Sequence, residues 1–323
     1  MRIAVLDDYA GAFGGLPSAQ RLVDHEVVTF ADSVSGDALV DRLDGFDAVV
    51  LLQQRTALPR EVAERLTTLR MVSQTGRNTS HLDVDALAAR GILVSAGGAG
   101  GPNATAELTW ALILAAQRHV AEEVAALREG RWQSTVGIGL HGKTLGVYGL
   151  GRIGSLVAEV GRAFGMRVLV WGREGSRSRA TAAGYAAATS REAFFRESDV
   201  LTVHLPLSAD TAGAVTADDL ALMKPEALFV NTSRAGIVAP GALVAALAAG
   251  RPGRAAVDVF ESEPVLGASD PLLALPNVTA TPHLGYVEQD VIAALYDAAV
   301  DQLLAFADGK PLNVTMAPGQ PGR

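Results

Sequence analysis

Near the middle of the chain, residues 145–154 read Leu-Gly-Val-Tyr-Gly-Leu-Gly-Arg-Ile-Gly. Gly149, Gly151 and Gly154 stand at GxGxxG spacing, after a short apolar run and before a long amphipathic segment. This order predicts a strand, a tight turn and a helix whose free N–H groups and positive dipole end suit a pyrophosphate. The motif in that context indicates a dinucleotide site, and the alternative is a glycine-rich turn without chemistry.

Length and composition limit the class of protein. A chain of 323 residues suits about two domains, and 49% apolar residues can form a buried core. Acidic residues outnumber basic ones 35 to 27, so no nucleic-acid or membrane partner is expected. The chain has no cysteine, which excludes disulfides and thiolate chemistry, and no metal site is expected. Without a signal-peptide or membrane-span pattern, the cytoplasm is the expected compartment.

Strand and helix signals alternate before the glycine turn. The pattern predicts strands at 2–6, 48–52, 71–74 and 92–95 and helices at 58–66 and 83–90. Residues 96–102, rich in glycine, predict a hinge or a domain boundary. One long helix over 104–128 should follow, with Asn103 as its cap. Because its segment 108–116 is apolar nearly all round, this helix is expected to be buried between domains or at a subunit contact.

After the turn, the same alternation predicts one doubly wound nucleotide domain. The pattern predicts strands at 168–171, 200–205, 228–231, 255–259 and 278–281 and helices at 152–164, 191–195, 217–222 and 240–249. A last helix over about 287–307 leaves this domain again, so the nucleotide domain is predicted to be inserted into an N-terminal α/β unit. A cleft between two such lobes is the natural place for a small substrate.

Three chemically suited residues each follow the end of a predicted strand, at the edge where doubly wound sheets place ligands: Arg234, Glu263 and His283. Reduction of a 2-oxo acid needs a guanidinium for the carboxylate, a proton donor for the carbonyl oxygen and a group that orients the donor. Each residue alone has a simpler interpretation. Arg234 could be a surface ion-pair partner, Glu263 part of a solvated loop, and His283 a helix cap.

In this order after the glycine turn, the three segments resemble the D-2-hydroxyacid dehydrogenase family, which includes phosphoglycerate, glycerate and hydroxypyruvate dehydrogenases. The resemblance covers nearly the whole chain. It implies an oxidoreductase that interconverts a 2-oxo acid and its D-2-hydroxy acid by hydride transfer with NAD(P)(H). It also implies that Arg234 holds the substrate carboxylate and that His283 and Glu263 form the acid–base pair. The alternative on the same fold is a nucleotide-sensing, corepressor-like interaction protein.

The predicted fold is α/β and two-lobed. A Rossmann doubly wound parallel-sheet nucleotide domain at 99–286 is inserted into a smaller flavodoxin-like α/β substrate domain at 1–98 and 287–323. The resemblance further implies a homodimer formed through the nucleotide domain. The predicted cofactor contacts are Gly149, Gly151, Arg152, Ile153, Gly154, Arg173, His204, Leu205, Pro206, Thr232, Ser233, Asp258 and Gly285.

The substrate side is predicted from a loop of the first lobe. In the family, a glycine-rich loop after a strand binds the substrate carboxylate through backbone N–H groups. The matching residues here are Gln74, Thr75, Gly76 and Arg77. Gln53, at the end of an earlier predicted strand, is a further candidate for the substrate pocket. Asn78 replaces the usual second glycine, and Arg77 stands where a small apolar residue is common. Unless its side chain points to solvent, Arg77 is predicted to favour a larger or additionally anionic 2-oxo acid.

Cofactor choice depends on the end of the second strand of the nucleotide domain. An NAD enzyme is expected to carry an acidic residue there, about 20 residues beyond the glycines, to accept hydrogen bonds from the ribose 2′-OH. The chain has Gly172 at this position. Arg173, with Ser176 and Arg177, suits a 2′-phosphate, so NADP(H) is slightly favoured over NAD(H). Glu174 could instead bind the ribose hydroxyls, which would restore NAD.

Overall fold

The computed structural model describes residues 1–98 and 100–317, which form two compact units. The terminal unit comprises Met1–Gly101 with Glu288–Arg323, and the central unit comprises Pro102–Val287. Residue 99, where the sequence places the start of the nucleotide domain, lies outside the described residues. So do residues 318–323, at the end of the predicted substrate domain.

The N-terminal part of the terminal unit alternates short strands with short helices. In chain order they are β1 (Arg2–Val5), α1 (Pro17–Gln20), β2 (Glu26–Thr29), α2 (Gly36–Leu43), β3 (Ala48–Leu51), α3 (Arg60–Ala63), β4 (Met71–Thr75), α4 (Val84–Ala89) and β5 (Leu93–Gly97). The sequence predicted β1, β3, β4 and β5 within one or two residues, and a longer α3. It missed β2 because this strand lies at the sheet edge, only half-buried, and lacks an apolar run.

The central unit continues the alternation with longer helices. Its elements are α5 (Asn103–Arg118), α6 (Val120–Arg128), β6 (Thr144–Tyr148), α7 (Arg152–Ala163), β7 (Arg167–Trp171), α8 (Glu174–Ala182), β8 (Ala186–Ala187), α9 (Arg191–Glu197), β9 (Val200–Val203), α10 (Ala217–Leu222), β10 (Leu228–Asn231), α11 (Ala242–Ala248), β11 (Arg254–Val257) and β12 (Val278–Ala280). The sequence missed α8, a polar helix that buries only two of its residues, Ser176 and Ala180. Few apolar positions mean a weak helical period.

The predicted continuous helix over 104–128 is wrong. His119 has φ 52°, a left-handed conformation that ends α5 and separates it from α6. The guanidinium of Arg254, on β11, donates to the carbonyl of Ala116 at 3.2 Å and so satisfies one of the acceptors that the helix end leaves open. The predicted Asn103 cap is wrong as well, because α5 begins at Asn103 itself and Pro102 takes the cap position.

The apolar face of α5 is buried within the central unit's own core. Trp110, Leu112 and Ile113 are each no more than 6% exposed, and Trp110 Nε1 donates to the carbonyl of Val157 on α7 at 3.2 Å. Helix α5 therefore packs against the sheet of the central unit and against α7. This packing accounts for its apolar composition without a subunit contact.

The chain returns to the terminal unit with α12 (Gln289–Ala307) and β13 (Val314–Met316). Strand β13 pairs antiparallel with β5 and completes a six-stranded sheet of order β13-β5-β4-β3-β1-β2 within the described residues. Helix α12 covers this sheet, and Ser73 Oγ of β4 donates to the carbonyl of Ala299 at 3.1 Å. Among the helices that the structure describes, none combines the length and apolarity needed to cross a membrane.

The central sheet is parallel, with the order β12-β11-β10-β9-β6-β7-β8. Strands β9 and β10 are buried along their whole length, as expected for a parallel sheet covered on both faces. Chain order reverses between β6 and β9, which makes the carboxyl end of β6 the topological switch point where such sheets bind ligands. The prediction of two α/β sheets, one of them doubly wound and parallel, is confirmed.

Candidate active site

The GxGxxG turn lies at the switch point and is closed by backbone contacts. Gly149 has φ +97°, and a Cβ there would lie 2.8 Å from the carbonyl oxygen of His204 at the end of β9. A Cβ on Gly154 would lie 2.2 Å from the carbonyl oxygen of Gly149. Only glycine fits either position, so the residue types are imposed by the turn itself.

The second glycine of the motif faces open space. Gly151 is the N-cap residue of α7, and a Cβ built there meets nothing within 4 Å. Arg152 and Ile153 form the first turn of α7, where backbone N–H groups lack helical partners. An open, side-chain-free approach to a helix N-terminus is the geometry that a pyrophosphate requires, so the residues present fit a dinucleotide.

The segment after β7 is attached to the same turn. Leu150 N donates to Ser176 Oγ at 3.3 Å, and Arg179 Nε donates to the carbonyl of Leu150 at 2.7 Å. Gly172 has φ +151°, and a Cβ there would lie 3.0 Å from Ser176 Cβ. The chain therefore has little room at Gly172 for the acidic side chain that the NAD pattern places at this position.

The arginines that the sequence assigned to a 2′-phosphate both have acidic partners. Arg173 Nη2 lies 2.8 Å from Asp210 Oδ2, and Arg177 Nη2 lies 2.7 Å from Glu174 Oε2. Glu174 is thus engaged by Arg177, which lowers the pKa of the Glu174 carboxyl. No local pattern in the sequence marks Asp210, which lies in the loop after β9.

The loop after β9 also carries His204, Leu205 and Pro206. A Cβ on Gly149 would lie 2.9 Å from Leu205 Cδ2, so this side chain contacts the glycine turn. The carbonyl of Pro206 accepts a hydrogen bond from Thr211 Oγ1 at 2.5 Å. His204 is buried with its Nε2 3.0 Å from Thr202 Oγ1, and burial lowers its pKa to about 4. Its imidazole is therefore neutral at pH 7.

Arg234 follows β10 in a turn that Asn231 organises. The Asn231 side chain donates to the carbonyl of Arg234 at 3.0 Å and accepts from the N–H of Ser233 at 3.0 Å. Ser233 Oγ in turn donates to the carbonyl of Val203 at 2.7 Å. This hydrogen bonding holds the backbone at Arg234, and sequence reasoning missed Asn231, whose signal was a polar residue at the end of a buried strand.

His283 and Glu263 form a direct pair. His283 Nδ1 lies 2.6 Å from Glu263 Oε2, while Glu263 Oε1 accepts from the N–H of Phe260 at 2.9 Å. His283 has φ 52°, an uncommon conformation for this residue that aims the ring from the loop after β12. With Nδ1 bound to the carboxylate, Nε2 is the ring atom available for proton exchange.

The environment of Glu263 favours its ionised form. Burial raises the pKa of its carboxyl, but the hydrogen bond and charge of His283, the Phe260 N–H and the positive charge of Arg234 outweigh burial, and the net pKa is lowered. An ionised Glu263 stabilises an imidazolium at His283. Arg234, Glu263 and His283, which the sequence predicts as catalytic residues, therefore lie close enough for their charges to interact.

Asp258 holds the backbone of the loop that carries His283. Its buried carboxylate accepts from Thr281 Oγ1 at 2.6 Å and from the N–H groups of Leu284 and Gly285 at 2.7 and 2.8 Å. Burial dominates these contacts and raises the pKa of the carboxyl. These donors already engage both carboxylate oxygens of Asp258. A direct contact between Asp258 and the cofactor stays a prediction.

Two threonines of α5 join the loops after β10 and β12. Thr105 Oγ1 donates to the carbonyl of Gly285 at 2.8 Å, and Thr109 Oγ1 lies 2.7 Å from Thr232 Oγ1. Thr105 and Thr109 stand one helical turn apart, so one face of α5 supports both segments that carry candidate catalytic residues. Sequence reasoning missed this pair because it reads α5 as apolar.

The predicted substrate loop lies at the carboxyl end of β4 in the terminal unit. Gln74 is fully buried, and its Nε2 donates to the carbonyls of Gln53 and Thr75, both at 2.7 Å. Gln53 N donates to Thr75 Oγ1 at 2.8 Å. The side chains of Gln74 and Thr75 therefore serve the geometry of the loop itself. Arg77 is exposed, and its contact with substrate stays a prediction.

The central unit matches a family of nucleotide-binding domains. Residues 110–285 match the model of the D-isomer specific 2-hydroxyacid dehydrogenase, NAD binding domain. The chain belongs to the D-isomer specific 2-hydroxyacid dehydrogenase family. The resemblance seen in the sequence is thereby confirmed, as are the class of NAD-dependent oxidoreductase and a nicotinamide cofactor.

Two related enzymes and one solved structure match this chain along most of its length. A glyoxylate reductase from Aeropyrum pernix is 42% identical over 251 residues, which cover 75% of this chain and 74% of that enzyme. A D-3-phosphoglycerate dehydrogenase from Bacillus subtilis is 33% identical over 295 residues, 91% of this chain, but the match spans only 55% of that enzyme. The crystal structure of a putative D-3-phosphoglycerate dehydrogenase from Ralstonia solanacearum has a TM-score of 0.93 and 45% identity, covering 97% of this chain and 96% of that one.

The buried neutral His204 should make stability depend on pH. Its pKa is about 4 in the folded chain against 6.5 for a free imidazole, so below pH 6.5 the unfolded chain binds the extra proton and stability falls. We expect wild type to lose about 2 kcal/mol more than His204→Gln between pH 7.5 and 5, measured by guanidinium unfolding.

The exposed His141→Gln variant is the control and should keep the wild-type pH dependence. If His204→Gln loses as much stability as wild type over this range, His204 is not the titrating group.

Proposed function

We propose that this chain interconverts a 2-oxo acid and its D-2-hydroxy acid by hydride transfer with a nicotinamide dinucleotide. The main support is the 2.6 Å contact between His283 and Glu263, in the same compact unit as the GxGxxG turn. An imidazole held by a carboxylate is a general acid–base device, and the family membership supplies the reaction class.

The chemistry divides between the cofactor and the side chains. The bound dinucleotide supplies or accepts the hydride. During reduction, His283 Nε2 donates a proton to the carbonyl oxygen, and during oxidation it takes that proton back. Glu263 holds Nδ1–H and stabilises the imidazolium, while the guanidinium of Arg234 binds the substrate carboxylate through two parallel hydrogen bonds.

Removing the acid–base pair should reduce turnover without loss of cofactor binding. We expect His283→Asn to lower kcat by about 10²- to 10⁴-fold. Glu263→Gln should also lower kcat, because Nδ1 of His283 loses the carboxylate that holds the ring. Steady-state kinetics from pH 5 to 9 measure both effects.

Glu261→Gln is the matched control, since Glu261 is exposed, lies two residues from Glu263, and accepts a hydrogen bond from the N–H of Gly241, the N-cap residue of α11, at 2.8 Å. It should keep the wild-type profile. Activity of His283→Asn within a few-fold of wild type would contradict the assignment.

We propose that the loop after β4 takes part in substrate binding and that Arg77 favours a larger or additionally anionic 2-oxo acid. The name of the Aeropyrum relative points to a short 2-oxo acid, and that of the Bacillus relative to a phosphorylated hydroxy acid. The exposed guanidinium of Arg77, on this loop, supports the second class.

A panel of short, bulky and dicarboxylic 2-oxo acids tests this proposal. Arg77→Ala should lower kcat/KM for the dicarboxylic acids by about tenfold relative to glyoxylate, the loss of one charge-assisted hydrogen bond. The exposed Arg60→Ala, on α3, is the control. Equal relative kcat/KM values across the panel in wild type and Arg77→Ala would refute a role of Arg77 in specificity.

We propose NADP(H) as the slightly preferred cofactor. Support comes from Gly172, which has no acidic side chain to offer the ribose, from Arg173 directly after it, and from Arg177 in the first turn of α8. The kcat/KM values of wild type with NADPH and NADH test this preference on any 2-oxo acid that is turned over. A strong preference for NADH would refute it.

We also propose that the chain forms a homodimer through the central unit. Support comes from α6 and the segment after it, where large apolar side chains are exposed. They are Val120, Val124, Leu127, Trp132 and Val136, with exposures from 43% to 92%. Exposed apolar residues concentrated in one segment are typical of a protein interface.

A further inference from the structure

Asp210 and Arg173 meet from two different elements. Arg173 is the N-cap residue of α8, directly after β7, and Asp210 lies in the loop between β9 and α10. Their side chains are 2.8 Å apart and about three-quarters exposed. Strands β7 and β9 both pair with β6, so both loops leave the sheet at its carboxyl edge, beside the GxGxxG turn.

Two arginines of α8 are already engaged by nearby groups. Arg179 donates to the carbonyl of Leu150, and Arg177 pairs with Glu174 on its own helix. Arg173 is therefore the cation best placed to meet a group at the end of β7, and the acid that holds it comes from a separate loop. A substitution at Asp210 changes the charge at this point without changing α8.

A ribose 2′-phosphate and a ribose 2′-hydroxyl experience this pair differently. The phosphate must compete with the Asp210 carboxylate for Arg173 and then remains close to a like charge. The hydroxyl carries no charge and meets neither cost. The Arg173–Asp210 pair thus disfavours binding of a dinucleotide that carries a 2′-phosphate and leaves binding of one with a free 2′-hydroxyl unaffected.

We propose that Asp210 is a specificity-determining residue for the cofactor: by holding Arg173, its carboxylate weakens binding of NADP(H) relative to NAD(H). The inference rests on the proposed binding of a nicotinamide dinucleotide at the end of β7. It holds whichever of the two cofactors wild type prefers, because it concerns the change in their ratio.

The expected size of the effect is modest. An exposed ion pair contributes about 1 kcal/mol or less, which corresponds to about fivefold in a binding constant. Asp210→Asn should therefore lower the Kd for NADPH by about three- to fivefold and change the Kd for NADH by less than about twofold. The gain should shrink as salt is raised, since the groups are exposed to solvent.

Fluorescence titration of the full chain with NADPH and with NADH measures both dissociation constants of each variant directly, without turnover. Asp218→Asn is the matched control, because Asp218 is an exposed aspartate in the first turn of α10 and its loss changes the net charge equally. Arg173→Ala and the double variant Arg173→Ala/Asp210→Asn complete a cycle, in which the gain from Asp210→Asn should be largely lost once Arg173 is absent.

Three results overturn the inference. They are an unchanged NADPH to NADH ratio of Kd in Asp210→Asn, an equal change of that ratio in Asp218→Asn, and a gain that persists at full size without Arg173. A wild-type chain that binds neither dinucleotide would instead refute the proposed function, so the two failures are distinguishable.

Discussion

The approach of Gly149 to the carbonyl of His204 is the contact on which the central unit depends. It brings the end of β6 against the end of β9, and Gly154 against Gly149 then fixes where α7 begins. A side chain at Gly149 would push the end of β6 away from the end of β9, and one at Gly154 would push α7 away from the turn. With β6 and α7 fixed, the helix N-terminus and the carboxyl edge of the sheet lie together, and the loops after β7, β9, β10 and β12 open at that edge.

The candidate catalytic side chains lie on loops that are rigid for a local reason. Each loop has a buried polar group that binds its backbone: Asn231 for the turn at Arg234, and Asp258 for the turn at His283. Buried polar groups of this kind are costly without partners, so the loop and its brace stabilise each other. The same hydrogen bonds therefore stabilise the fold and position the candidate catalytic side chains.

Much of the fold was predictable from the sequence because the buried strands are short apolar runs with glycine or polar ends. The elements that could not be predicted either lack a local apolar signal or depend on residues far along the chain. The edge strand β2 carries no apolar run, α8 has little apolar surface, and the break at His119 is coupled to Arg254, 135 residues later. A propensity argument has no access to that contact.

The same distinction holds for the candidate site. Arg234, Glu263 and His283 were accessible because each places a reactive group after a predicted strand, which is a local signal. Thr105, Thr109 and Asp210 act through partners far along the chain, which a local pattern does not reveal. Two polar residues carried a local hint, because Thr109 stands inside an apolar helix and Asn231 ends a buried strand.

Gly172 separates cofactor choice from folding stability. Because Ser176 leaves little room for a side chain there, the groups proposed to meet the ribose lie at solvent-exposed positions, Arg173 before α8 and Asp210 in the loop after β9. Exposed positions accept substitution at a cost of only about 0.5 kcal/mol. Cofactor preference in this chain can therefore drift from one dinucleotide to the other without any compensating change in the core.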